Sequence, residues 1–351
     1  MTSQPPRKTP SILSRIQRGI EGTYVPRFYN VRYGSDSLIE SFLPADPVFP
    51  EKIRARHVAD LNAFDTHETV LAKATEFGEM FLTEVSRGCA RRCLFCAAGF
   101  ACGPARFRSP ERLTGSIEEG LRAKGKIGLL GTAVSDHPNL RDLCRFILNR
   151  GGTFSVGSMR ADRLTAEIAK LLKETGVEMV SIAPEAGSQR LRDLIGKGIT
   201  ERHLFGAVEA LIGQGIVNLR LYFMVGLPTE GEEDIEAIID LTRRIKHHAV
   251  KITGGKKKFR RITLSINQFI PKAATPFQWL PLADTNVVRR RIRKISQALG
   301  RERSVTVTHD LPKWNYIQAL LSLGDRRVSK LLLSAHQKKG NWAQAFKESH
   351  I

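Results

Sequence analysis

From Phe81 onward, continuous apolar runs alternate with stretches in which hydrophobic residues recur every three or four positions. This pattern predicts strands that alternate with helices. The apolar runs that predict strands are 81–85, 126–131, 153–157, 177–183, 217–225 and 262–270. The stretches with helical spacing include 165–175, 200–214 and 232–248. Strands that alternate with helices of about ten residues or more predict right-handed crossovers and a parallel sheet.

Unusual residues recur just after the predicted strands, which is where the active sites of parallel barrels are built. The predicted fold class is therefore α/β, a partial (βα)6 TIM-like barrel. We expect three parts: an N-terminal extension or connector at 1–74, the core at 75–283, and a basic helix with an α-rich C-terminal region at 284–351. A short strand at 305–308 and a small helical tail at 312–347 are predicted within the last part, and prolines at 5, 6 and 10 predict a flexible start.

Composition is that of a globular protein. The 351 residues are 42% hydrophobic and 26% charged, which argues against extended disorder. No apolar run approaches the roughly 20 residues of a membrane span. The first ten residues, MTSQPPRKTP, lack an apolar signal core, so we expect a cytoplasmic protein.

Positive charge is concentrated in one stretch. The formal net charge is +20, and residues 251–303 contain fourteen Lys and Arg against two Asp and Glu, a difference of +12. Such a concentration of positive charge favours a polyanionic partner such as RNA, because binding of its phosphates releases their counterions. A solvated basic face is the alternative, since no known nucleic-acid module surrounds the stretch.

The cysteines point to metal chemistry. Cys89, Cys93 and Cys96 form a C-x3-C-x2-C spacing directly after the first predicted strand, and soft thiolates on one short loop suit an iron-sulfur cluster. Neighbouring arginines at 87, 91 and 92 favour the deprotonated thiols. The alternative is a zinc site with Cys102 or a histidine as fourth ligand, although no second ligand pair exists nearby. Cys144 has helical spacing and is expected to be a buried helix residue.

This loop and several further segments resemble the radical S-adenosylmethionine (SAM) superfamily, and in particular the cobalamin-linked radical SAM proteins called Fe-S oxidoreductases. The core segments that carry the resemblance are, in order, TEFGEMFLTEVSRGCARRCLFCAAGF, LLGTAVSDHP, SMRADRLT, APEAGSQRLR, LYFMVGLPTE and FIPKAATPFQW. The flanking segments GTYVPRFYNV and LSLGDRR are also similar.

The resemblance implies a 4Fe-4S cluster held by Cys89, Cys93 and Cys96, whose open iron chelates the amino and carboxylate groups of SAM. It implies that Phe95 packs near the adenine. The backbone at Gly131 takes the place of the glycine-rich motif that meets the methionine amino group, although the usual Gly-Gly-Glu is missing. Reductive cleavage of SAM then starts radical chemistry on a substrate that the sequence does not identify.

Polar residues after the later strands complete the expected SAM site. Ser158 and Arg160 follow the third strand and suit a carboxylate or a ribose hydroxyl, with a surface charge as the alternative for the arginine. Glu185 follows the fourth strand and suits ribose hydroxyls, or a structural ion pair. Gly226 matches the adenine-side turn, or simply shapes a tight turn, and Lys272 faces the substrate or the solvent.

The N-terminal part lacks the D-x-H-x-x-G loop of a cobalamin-binding domain, since Asp65-Thr-His67-Glu-Thr-Val70 ends in valine. We expect cobalamin, if used, to come from a separate chain, and a reductant such as ferredoxin or flavodoxin to supply electrons. Two alternatives to an enzyme on an unassigned substrate stay open. One is an RNA-modifying methyl- or methylthiotransferase, and the other is a non-catalytic iron-sulfur subunit.

Overall fold

The computed structural model describes residues 11–255 and 259–349. Within these ranges the helices are α1 (Ile12–Gly19), α2 (Pro110–Lys124), α3 (Leu140–Asn149), α4 (Ala166–Glu174), α5 (Gln189–Leu194), α6 (Glu201–Gly213), α7 (Glu232–Ile252), α8 (Thr285–Gly300), α9 (Pro312–Leu323), α10 (Val328–Gln337) and α11 (Trp342–Ser349). The strands are β1 (Tyr29–Tyr33), β2 (Ile39–Pro44), β3 (Phe81–Glu84), β4 (Ser86–Arg87), β5 (Arg106–Phe107), β6 (Lys126–Leu130), β7 (Thr153–Val156), β8 (Met179–Glu185), β9 (Asn218–Val225), β10 (Arg261–Gln268) and β11 (Val305–His309).

The described chain divides into two compact units, 59–328 and a smaller one made of 11–58 with 329–349. In the smaller unit, β1 and β2 form an antiparallel hairpin. Tyr29 is 2% exposed, and its ring stacks on Phe42 at 5.0 Å between centroids. The buried Gln17 side chain of α1 donates to the Thr23 carbonyl and accepts from the Val25 amide, which ties the helix to the chain that follows it.

The larger unit is built on parallel strands. One sheet has the order β3-β6-β7 and the other β8-β9-β10-β11, all parallel, and a parallel bridge between Met159 and Ile182 joins the chain after β7 to β8. The strands therefore follow one another in chain order around a partial TIM-like barrel. Because they are parallel, their carboxyl ends all meet at one edge, where the loops of the candidate site lie.

Alternation along the strands decides which face packs on the helices. Leu219, Leu221 and Phe223 of β9 belong to the main apolar core with Ile262 and Leu264 of β10, so the residues between them face the other side.

Helices of the larger unit begin at residues that cap them well. Ser109 accepts from the Arg112 amide at the start of α2, where Pro110 fixes the first helical φ.

The six predicted strands and the parallel sheet are confirmed, and the alternating helices lie where expected. The structure adds the short helix α5 and a seventh barrel strand, because β11 pairs in parallel with β10 over its whole length. It also contains a helix, α1, in the N-terminal part, where we predicted no helix or strand. The predicted flexible start at 1–10 and the three lysines at 256–258 lie outside the described residues.

The compact units do not follow the predicted division at 284. Helix α8 confirms the predicted basic helix, but α8 and β11 both lie in the larger unit, because β11 is part of its sheet and α8 packs against it. The boundaries at 75 and 283 remain predictions about the functional core.

Candidate functional site

A loop with three cysteines follows β3 at the carboxyl edge of the barrel. Cys93 is buried, Cys89 and Cys96 are partly exposed, and all three are free thiols. Leu94, directly after the second cysteine, anchors the loop: its amide donates to the Ile195 carbonyl at 2.9 Å, and its carbonyl accepts from the Phe277 amide at 3.2 Å. The loop is therefore fixed against the chain that follows β8 and the chain that follows β10.

Glycines at the loop are required by close contacts. Gly88 has φ +73°, and a Cβ there would lie 2.3 Å from the Pro104 carbonyl oxygen. A Cβ at Gly131, after β6, would lie 2.3 Å from Ser86 Oγ, which is buried and has no hydrogen-bond partner. The Gly131 backbone therefore lies directly against the start of the cysteine loop.

Two cations act on the buried thiol. Burial raises the pKa of the Cys93 thiol, and Lys197 and Arg160 oppose that rise by favouring the thiolate. Neither cation belongs to the arginines that we expected near the thiols. Arg87 donates to Glu84 and Arg92 lies over the Phe100 ring, so both are engaged elsewhere.

Arg91, the remaining arginine of the loop, joins three loops of the carboxyl edge. It makes a 2.6 Å ion pair with Asp136, after β6, and a 3.1 Å pair with Asp162, after β7. Although burial acts against it, the hydrogen bond from Arg91 keeps the pKa of Asp136 below its ordinary value. Arg91 also interacts electrostatically with Cys89.

Arg160 belongs to the same network and is not a free surface charge. Its guanidinium is paired with Asp162 at 2.9 Å, and it donates to the Lys197 carbonyl at 3.1 Å. Ser158, two residues earlier, is exposed beside it on the same loop. The structure therefore places Arg160 at the thiols, while Ser158 lies open to solvent.

Glu185 forms an ion pair, which is one of the two roles that the sequence suggested for it. It ends β8 with φ +70°, a left-handed conformation that is costly for a residue with a side chain. Its carboxylate lies 2.8 Å from Lys197 Nζ, and the two side chains are 15% and 10% exposed. Lys197 thus connects Glu185 to the environment of Cys93.

Gly226 shapes a tight turn after β9. Its φ is +79°, and its amide donates to Glu230 Oε2 at 2.7 Å. Glu230 also pairs with Arg291 at 2.6 Å, and burial raises the pKa of Glu230 to about 7 despite these contacts. The amide of Gly226 is therefore engaged within the turn, and a Cβ at this residue would lie 2.9 Å from Ala283 Cβ.

Phe95 lies at a cavity of about 210 Å³ between the cysteine loop and the ends of β9 and β10. Its ring packs with an apolar cluster that includes Met224, Phe269 and Leu227. Lys272 lines the same cavity, and burial lowers the pKa of its ammonium group. Lys272 therefore faces this cavity, where its Nζ contacts Ser322 Oγ at 3.2 Å.

The described arginines of the basic stretch do not lie on one surface at the site. Arg260 and Arg261 lie at the amino end of β10, and Arg301 and Arg303 precede β11, so these four lie at the edge opposite the cysteines. In α8, Arg291 is paired with Glu230 inside the larger unit. Among the described helices, none has the length and apolar character needed to cross a membrane.

The amino acid sequence of residues 83–242 matches the radical SAM superfamily. The chain contains a radical SAM domain. An uncharacterized protein of Methanocaldococcus jannaschii is 36% identical over 258 residues, which are 73% of this chain and 54% of the relative. The threonylcarbamoyladenosine tRNA methylthiotransferase MtaB of Aquifex aeolicus is 27% identical over 46% of this chain and 42% of its own length. The chain thus spans about half the length of these relatives.

Among solved structures, the radical SAM domain is similar to the radical S-adenosylmethionine methyltransferase TsrM from Kitasatospora setae, with cobalamin and a [4Fe-4S] cluster bound. The TM-score is 0.43 and the identity 17%, over 56% of this chain and 35% of that one. In the present chain, the segment Asp65–Val70 that we compared with a cobalamin loop runs beside β3. There, His67 bridges to Thr83 and stacks on Phe81 at 5.5 Å.

The donor set of the radical SAM domain fits an iron-sulfur cluster. Three soft thiolate donors lie on one loop beside Lys197, Arg160 and Arg91, and cations compensate the negative charge of a thiolate-ligated cluster. In the described part of the chain, no three His, Cys, Asp or Glu side chains converge to hold a single metal ion. Cys102 is exposed, and Cys144 is buried in α3 with its pKa raised to about 12 by burial, as expected for a helix residue.

Lys197 is one of the site residues that sequence reasoning missed. It lies between Gly196 and Gly198, which both have φ +64° and leave the lysine on a sharply turned segment. A lysine between two glycines, twelve residues after Glu185 and in a short loop between helices, was the available signal. Asn315 and Gln318 of α9, which line the cavity beside Phe95, gave no signal because they lie in a helix beyond the predicted core.

Proposed function

We propose that this protein is a radical SAM enzyme that binds a 4Fe-4S cluster through Cys89, Cys93 and Cys96 and cleaves SAM reductively. The observation that supports the proposal best is the gathering of Lys197, Arg160 and Arg91 around three free thiols at the carboxyl edge of the barrel. When bound, such a cluster supplies the electron that splits the sulfonium of SAM into methionine and a 5'-deoxyadenosyl radical.

The protein's own residues position the reactants. Arg160 and Lys197 offer donors to the methionine carboxylate, and the exposed backbone after Gly131 meets its amino group. Glu185 accepts from the ribose hydroxyls, and Phe95 covers the adenine beside the turn at Gly226. The ion pairs within this set hold the donors in place before SAM arrives, which lowers the entropic cost of binding.

The test is anaerobic reconstitution of the full chain with iron, sulfide and reductant. We expect about four irons per chain and formation of 5'-deoxyadenosine from SAM. Cys93→Ala should lose both, whereas Cys102→Ala, which removes an exposed thiol only a few residues along the chain, should keep both. A wild-type protein that holds iron but never yields deoxyadenosine would instead support the non-catalytic iron-sulfur subunit.

Partners and location belong to the same proposal. A low-potential reductant such as ferredoxin or flavodoxin supplies the electron, and we place the protein in the cytoplasm. Cobalamin remains an optional second cofactor, delivered by a separate chain. Addition of cobalamin to the reconstituted enzyme should leave deoxyadenosine formation unchanged if the chain works without it.

A second candidate is an RNA-modifying methyl- or methylthiotransferase. The similarity to MtaB favours it, because that relative is a tRNA methylthiotransferase, and so do the exposed arginines at 260, 261, 301 and 303. Filter binding of tRNA at two salt concentrations tests it. Binding that weakens steeply with salt, and that Arg260→Glu with Arg261→Glu weakens further, is expected of an RNA enzyme; salt-independent or absent binding rejects it.

A further inference from the structure

The inner faces of β8 to β11 form a polar surface inside the partial barrel, which we call the lumen face. The outward residues of these strands, such as Ile182, Leu221 and Leu264, belong to the apolar core under the helices. The residues that alternate with them therefore face inward. One row across the four strands consists of Ser181, Arg220, Thr263 and Thr306, which are neighbours in register.

Arg220 is the charged member of this row, and its side chain makes no hydrogen bond or ion pair with the residues that the structure describes. Its Nε is buried without a hydrogen bond, and no ion pair joins its guanidinium to another residue of 11–255 or 259–349. The side chain is only partly exposed. A buried N–H without an acceptor costs free energy, and an acceptor that binds beside the guanidinium would remove that cost.

Two carboxylates on the inward strand faces are paired with cations other than Arg220. On the inward faces of the barrel strands, acidic residues occur at the carboxyl ends. There, Glu84 binds Arg87 and Arg108, and Glu185 binds Lys197. The lumen face around Arg220 therefore has a positive charge with the hydroxyl groups of Ser181 and Thr263 beside it, and no described carboxylate forms an ion pair with that charge.

We propose that Arg220 binds the oxyanion group of a small substrate, a carboxylate or a phosphate, inside the barrel. The planar guanidinium suits bidentate recognition of either group, and Ser181 and Thr263 offer hydroxyls to the same oxygens. This inference rests on the proposed function, since it assigns the substrate class of that same site.

The position of Arg220 along β9 also limits the shape of the substrate. Arg220 lies five residues before Val225, where β9 ends, so about 16 Å of strand separate it from the edge at which the cysteines lie. A substrate anchored at Arg220 must reach toward that edge to be within range of a radical formed there. We therefore expect an elongated acid, and not a polymer that stays outside the barrel.

Calorimetry with three probes of matched shape tests the proposal on the full chain. The probes are benzoate, phenyl phosphate and the uncharged benzamide. We expect saturable binding of benzoate or phenyl phosphate, whichever oxyanion the site prefers, and at least tenfold weaker binding of benzamide. Equal binding of benzamide, or no saturable binding of either anion at about 10 mM, would overturn the inference.

Variants then locate the binding. Arg220→Gln should weaken the preferred anion tenfold or more, and Arg220→Lys should weaken it less, because the lysine keeps the charge and loses the planar fork. Arg293→Gln, which removes an exposed arginine of α8, should bind the probe like wild type. If Arg220→Gln binds the anion as tightly as wild type, the anion site lies elsewhere.

A stability measurement keeps the test independent of catalysis. If Arg220 serves ligand binding, it destabilises the protein when no ligand is bound. Arg220→Met should therefore raise the thermal unfolding midpoint of the ligand-free protein by about 2 °C or more. A purely structural arginine would give a lower midpoint. The proposed function is tested separately. If it is wrong, the reconstituted wild-type protein forms no cluster or no deoxyadenosine, and this result does not depend on whether the three probes bind.

Discussion

Removing the charge of Lys197 should destabilise the protein mainly through the carboxylate that it leaves behind. Its Nζ lies 2.8 Å from Glu185 Oε1, and both side chains are largely buried. At an effective dielectric constant of about 20, two unit charges at this separation attract by roughly 6 kcal/mol, and desolvation of both groups offsets most of it. Breaking a buried pair costs about 3–5 kcal/mol, and the remaining exposure of Glu185 favours the low end.

Urea unfolding of Lys197→Met, Glu185→Gln and the double variant measures this coupling. We expect the lysine variant to lose about 3 kcal/mol of the free energy of unfolding. The double variant should lose about 2 kcal/mol less than the sum of the singles. The control pair is Arg150 with Glu118, 3.0 Å apart and 41% and 39% exposed; its coupling should stay near or below about 0.5 kcal/mol.

A coupling at Lys197 and Glu185 no larger than that of the control pair would refute the reasoning. It would mean that water reaches the pair freely and that Lys197 does not hold Glu185 in place. A further comparison separates the pair from backbone strain. Because Glu185 has φ +70°, Glu185→Gly should be about 1 kcal/mol more stable than Glu185→Gln.

Three other outcomes follow from buried or tightly packed groups. Burial raises the pKa of Glu230 from its ordinary value of 4.5 to about 7. Between these two pH values, the native state therefore binds more protons than the unfolded state. The free energy of unfolding should therefore fall by up to about 3 kcal/mol between pH 4.5 and 7, and Glu230→Gln should flatten that profile in pH-dependent urea unfolding. Gly88→Ala should lower iron per chain in reconstitution, since its Cβ meets the Pro104 carbonyl, whereas Gly125→Ala, with a similar φ and open space, should load normally. Cys144→Ala should cost about 1–2 kcal/mol in urea unfolding and leave the iron content unchanged, and iron loss would contradict its place in the core.

The regular part of the fold could be predicted because local sequence determines it. Apolar runs of four to eight residues between capped helices indicate parallel strands whatever the rest of the chain does, and the six predicted strands lie within a few residues of β3 and β6 to β10. The relation of β11 to β10 could not be predicted. Its strand is short and half polar, and its pairing depends on a neighbour more than forty residues away in register, Ile262 with Val305.

The candidate site was predictable where a residue's type limits its chemistry. Three closely spaced cysteines indicate a soft metal site in any fold, and polar residues directly after strands indicate the carboxyl edge of the barrel. The partners of those residues were not predictable. Arg160 and Lys197 reach Cys93 from two different loops, and Arg87 turns to Glu84, because tertiary contacts and not sequence distance decide which charges meet.

The two backbone hydrogen bonds of Leu94 have a consequence for biosynthesis. They tie the cysteine loop to Ile195 and to Phe277, which are translated about a hundred and about one hundred and eighty residues later. A nascent chain emerging from the ribosome carries its thiols for some time before the segments that shape the loop exist. Metal loading should therefore follow completion of the barrel, and a fragment ending before Phe277 should expose oxidisable thiols without a formed binding loop.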